Sequence, residues 1–112
     1  MDLQITELDE IVRVALTGRL DTAGVSRIEP QFFAGIVPRG RPTIVDLGEV
    51  EFLASLGIRM LISTARSLST KGARIAMFNA TPGVMEVIEM TSLNEIVPVS
   101  GSEEEAVALV RG

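Results

Sequence analysis

The chain has 112 residues, 46% hydrophobic and 22% charged, which suits one domain around one core and is too apolar for a disordered segment. Fifteen acidic against ten basic residues leave a net charge of -5, which repels phosphate backbones and argues against nucleic acid as a partner. With no His and no Cys there is no side chain titrating at physiological pH, no thiolate, no disulfide and none of the ligands that hold zinc or copper, so neither enzymatic activity nor a metal or cofactor is expected.

The start, Met1-Asp2-Leu3-Gln4, has no basic run leading into an apolar segment, and no apolar stretch approaches ~20 residues. A cytoplasmic protein without leader or membrane insertion is therefore expected. Leu3 and Ile5, then Val12, Val14 and Leu16, alternate with period two and predict a hairpin turning at Asp9-Glu10. From Asp21 to Ile36 the spacing lengthens to a helical one, with Val25, Ile28, Phe32 and Phe33 apolar and Pro30 expected to interrupt or restart the helix. Pro38 to Pro42 is a loop whose two arginines read as solvated charges.

Thr43 to Leu47 is a short, nearly all-apolar run, as a buried strand would be. Residues 55 to 71 place Ile58, Leu61, Ile62, Ala65 and Leu68 on one helical stripe, opposite Arg59, Ser63, Arg66 and Thr70. On that wheel Leu56 and Met60 lie roughly 160° and 200° from Ile58, so both are expected to point outward as an apolar spot at the helix start. Lys71-Gly72 is a cationic, glycine-terminated stop. Arg74 to Phe78 reads as a strand, and Thr81-Pro82 opens a helix with Val84, Val87 and Ile88 buried. Ile96 to Val99 is a last short strand. Ser102 with Glu105 forms a capping box before Ala106, Val107 and Val110. Alternating strands and helices imply an α/β fold, with helices on a mixed, mostly parallel sheet and the opening hairpin as its antiparallel edge.

The stretch from Gly48 to Gly57 lacks the lysine of a phosphate-binding loop, and Lys71 is the sole lysine. Asp46, Glu49 and Glu51 raise the idea of a magnesium site, but alternate glutamates in a loop are more simply solvated. Asp46 as a phosphoryl acceptor of the response-regulator kind would need an acidic pair after the first strand and a late lysine. Neither is present.

The segment Val45 to Arg59, VDLGEVEFLASLGIR, resembles the central signature of the STAS domain, found in bacterial anti-sigma factor antagonists: Phe-[Ile/Leu/Met]-Asp-Ser-[Ser/Thr]-Gly-[Ile/Leu] after a buried strand. Gly18-Arg19-Leu20-Asp21 looks like the family's Gly-x-[Leu/Ile]-Asp, and Lys71 to Ile75 and Asn79 to Ile88 resemble its later joins, so the likeness runs over the whole chain, 1–112, as a single domain. The resemblance implies a STAS-like fold with about four helices and an N-terminal hairpin. It also implies a partner, an anti-sigma factor with an ATP-binding, kinase-like domain, that phosphorylates the serine of the signature. Phe52, Leu53, Ser55, Gly57 and Ile58 match, which makes Ser55 the acceptor. Ala54 stands where the family has aspartate and Leu56 where it has a second hydroxyl residue. As the residue before the helix, Ser55 is also expected to be its N-cap.

The expected partner surface is Asp21, Ser55, Leu56, Gly57, Arg59 and Met60. The implied function is that of a protein-binding regulator that frees a sigma factor, acting as a monomer or weak homodimer. The alternative is a STAS subunit of a larger complex, such as an ABC-type lipid transporter or a stress-sensing assembly.

Overall fold

The computed structural model describes residues 1–111. The hairpin is present as β1 (Asp2–Leu8) and β2 (Ile11–Leu20), paired antiparallel and turning through Asp9 at a φ of 60°. It is followed by α1 (Thr22–Ile36), β3 (Thr43–Leu53), α2 (Ser55–Ser69), β4 (Ile75–Phe78), α3 (Pro82–Met90), a 3-10 turn (Leu93–Glu95), β5 (Val99–Ser100) and α4 (Glu103–Arg111). The five strands lie side by side in sequence order, and β2 through β5 run parallel.

The two faces of this sheet carry two separate apolar clusters. Alternate residues Val12, Val14 and Leu16 of β2 join Val45 and Leu47 of β3 beneath α1, α2 and α3, whose Phe32, Leu61 and Ile88 complete the larger core. The intervening positions Ile11, Ile44, Ala76 and Phe78 face the other way and are covered by Ala106 and Val110 of α4. Period two in the strands therefore assigns each residue to a core.

Four expectations about elements change. Pro30 does not interrupt α1, which runs unbroken across it. Pro30 and Ser26 are both exposed, so the carbonyl that loses its donor turns to water while Val25, Ile28, Phe32 and Ile36 hold both halves on the sheet. Phe33 lies outside that stripe and is exposed. β3 does not stop at Leu47 but continues to Leu53 through two register shifts against β2, so Glu49 and Glu51 belong to a strand rather than a loop. β5 begins at Val99, and Ile96 precedes it, exposed, at the end of the 3-10 turn that buries Leu93 in the larger core.

Candidate functional site

The carboxyl ends of β2 and β3 deliver the chain to the start of two helices. At α1, Asp21 has extended backbone and its Oδ1 accepts from the Gly24 amide at 2.9 Å, as an N-cap does. That amide, and then Arg19 at 3.4 Å, hold the Asp21 carboxyl below its usual value. At α2 the N-cap position falls on Ala54, which has the same extended backbone but no side chain able to accept. Ser55 is the first helical residue, not the cap that the sequence led us to expect, and its side chain is exposed. The boundary moves by one residue because the Ala54 amide is bound to the Leu20 carbonyl at 3.0 Å, which keeps Ala54 extended beside β2.

Gly57 is buried where α2 passes over the strand ends. A Cβ there would lie 2.9 Å from Leu53 Cδ1 and 3.0 Å from Leu20 Cβ, so the residue is a packing requirement rather than a side chain offered to a partner. The register that pairs Arg19 with Phe52 stacks the guanidinium 4.5 Å over the ring, and Phe52 remains 39% exposed. Nothing in the sequence signals this stack, because it depends on the two bulges between β2 and β3.

Leu56 is outward, as expected. Met60 is not: it is 2% exposed and part of the larger core. The buried stripe of α2 is Gly57, Met60, Leu61, Thr64 and Leu68, while Ile58 is only partly covered. The helix has rotated because it packs against α1 as well as the sheet, and this widens its buried face on the Met60 side. Of the six expected contact residues, Asp21, Ser55, Leu56 and Arg59 therefore present side chains at the site, whereas Gly57 and Met60 lie beneath it. Leu56 and Arg59 share a cleft of about 290 Å³ between α1 and α2 with Val25, Ser26, Glu29 and Ser63.

Asp46 is engaged elsewhere. It accepts from Arg13 at 2.9 Å, from the Gly48 amide at 2.9 Å and from Asn79 at 3.4 Å, on the face under α4. Arg13 also reaches Glu103 at 3.2 Å, and Glu103 followed by Asp46 strengthens its hold on the proton. Asp46, Glu49 and Glu51 do not converge. Among the described residues no group of three or more acidic residues could hold a metal ion, and no helix is long and apolar enough to cross a membrane.

Residues 2–106 match the model of the STAS domain family. An anti-sigma F factor antagonist of Lysinibacillus sphaericus is 28% identical over 104 residues, 92% of this chain and 88% of that protein. The anti-sigma-B factor antagonist of Listeria monocytogenes is 21% identical over 106 residues, 94% of this chain and 93% of that one. The crystal structure of an anti-sigma factor antagonist from Mycobacterium paratuberculosis superposes with a TM-score of 0.87 at 24% identity, over 99% of this chain and 94% of the other.

Proposed function

The chain belongs to the STAS domain family, and from that premise we propose that it is a protein-binding regulator that acts as an anti-sigma factor antagonist. The start of α2 docks on an anti-sigma factor carrying an ATP-binding, kinase-like domain, and the sigma factor is released. The observation that carries this reading is the surface around Ser55: an exposed hydroxyl in the first turn of a helix without a side-chain cap, between exposed Phe52 and Leu56 and beside the capped start of α1. Apolar side chains next to unsatisfied amides give a partner both area to bury and donors to satisfy.

The same hydroxyl is the switch. The partner transfers the γ-phosphoryl group of ATP to Ser55 Oγ, ADP leaves, and the hydroxyl proton passes to a base on the partner. The product carries nearly two negative charges where the partner surface fitted a neutral group, and desolvation and repulsion weaken the complex. Ala54 and Leu56 make the transfer slow, because the carboxylate and hydroxyl that flank the acceptor in the family are missing.

Incubation of the purified chain with its ATP-binding partner and ATP, followed by intact-mass measurement and site mapping, tests both steps. One phosphoryl group on Ser55 and weaker binding afterwards are expected, with faster transfer to Ala54→Asp. No transfer even to Ala54→Asp, or transfer to another residue, removes the switch. Affinity capture from the native cell tests the partner: recovery of a transporter ATPase in place of an anti-sigma factor would overturn the docking assignment.

A further inference from the structure

The outer side of α4 and the β5 edge form a surface that the preceding reading does not use. α4 turns Ala106 and Val110 to the sheet and leaves Glu104, Ala108 and Leu109 exposed. Leu109 is 41% exposed and Ile96, ahead of β5, is 44% exposed. Both border hollows at the sheet edge. One, of about 350 Å³, is lined by Ala65, Ala73, Ile96, Pro98 and Leu109 with Arg74. The other, of about 440 Å³, is lined by Val99, Ser100, Glu105, Ala108 and Leu109. β5 has two residues and among the described residues pairs only with β4, so its outer edge is open.

Charge on this surface is ordered along the helix. Glu104 and Glu105 are exposed at the start of α4, where Glu103 is already held by Arg13, and Arg111 at its end lies 3.8 Å from Asp9 of the same chain. Arg74 lies 3.5 Å from the Leu109 carbonyl and has no carboxylate within ion-pair distance among the described residues. Such a gradient complements itself under a two-fold rotation.

We propose that this face binds a second copy of the same chain, with the two α4 helices antiparallel about a two-fold axis. A rotation centred midway between Glu105 and Leu109 sets each residue opposite the other's counterpart, since four residues span about 6 Å of helix. Leu109 of each copy then lies over the hollow lined by Val99, Ala108 and the methylenes of Glu105 of the other, whose carboxylate stays at the rim. The acidic start of each α4 faces the second copy's Arg74, twice per dimer. The small Ala108 lets the helices approach, and an isologous contact of this kind closes at two copies instead of growing. α4 lies on the sheet face opposite α1 and α2, so Ser55 and Leu56 stay free in both copies. The patch is small and its ion pairs are exposed, which makes the dimer weak, concentration-dependent and sensitive to salt.

Sedimentation of the purified chain between about 10 μM and about 1 mM, a range suited to a small transient interface, tests this without any other partner. The expected result is a mass that rises from 12.0 kDa toward twice that value and rises less in high salt. Leu109→Asp, Arg74→Glu and Glu104→Lys should each stay monomeric where the parent dimerises, and Arg74→Glu combined with Glu104→Lys should recover the dimer. Circular dichroism checks that each variant is folded, and Leu109→Ser replaces Leu109→Asp if the latter is not. A mass that stays at the monomer value, a dimer untouched by Leu109 substitution, or a double variant no better than its single parents would overturn the proposal.

Discussion

Replacing Ala54 by aspartate should stabilise the protein, and the size of the gain follows from the two helix starts. Asp21 and Ala54 occupy the same place, each extended and each three residues before a glycine, Gly24 or Gly57, at the third helical position. At α1 the carboxylate reaches that glycine's amide at 2.9 Å, whereas α2 has no side-chain cap. A missing N-cap costs about 1 kcal/mol, so Ala54→Asp should gain about that much, or about 4–8 °C in Tm for a chain near this length.

Part of the gain is offset, because the Ala54 amide bonds to Leu20 and so places position 54 near Asp21. Ala54→Asn, which caps without charge, separates capping from this repulsion. The introduced carboxyl has its folded pKa lowered by the amide it binds. Its contribution is thus complete above the unfolded pKa and falls away as pH drops through the folded one. Thermal unfolding followed by circular dichroism at pH 7 and in acid is the assay. An unchanged Tm at pH 7, or a gain that does not shrink in acid, would refute the argument from cap geometry.

Met60→Ala removes a side chain from the larger core and should cost about 2–4 kcal/mol, while Leu56→Ala should cost within about 0.5 kcal/mol; urea denaturation of both variants decides which of the two is structural. Leu56→Asp should fold as the parent does and bind the proposed anti-sigma partner more weakly, read by calorimetric titration. Arg13→Met strips Asp46 and Glu103 of their shared cation and should destabilise by about 1 kcal/mol, seen first as faster hydrogen exchange in α4. Asp21→Ala removes a carboxyl whose pKa is lowered on folding, so it should lower Tm at neutral pH and narrow the loss of stability on acidification.

The sequence by itself determined whatever depends on neighbours along the chain. Period-two alternation marked the hairpin, Thr81-Pro82 and Ser102 with Glu105 marked two helix starts, and Gly72, at a φ of 78°, ended α2 as expected. The motif around Ser55 marked the strand, the sharp join and the helix start at the proposed docking end for the same reason, since these are local events. Tertiary structure alone decided the rest. Met60 was turned inward because α2 is held between two neighbours, the sheet and α1, and a wheel drawn for one buried face misses the second. α1 passed through Pro30 because burial on both sides of it outweighs one lost hydrogen bond. Arg19 met Phe52, and Arg13 met both Asp46 and Glu103, only through strand register and the packing of α4 on the far face. Contacts between residues far apart in the chain are fixed by how elements stack, and no local pattern records that arrangement.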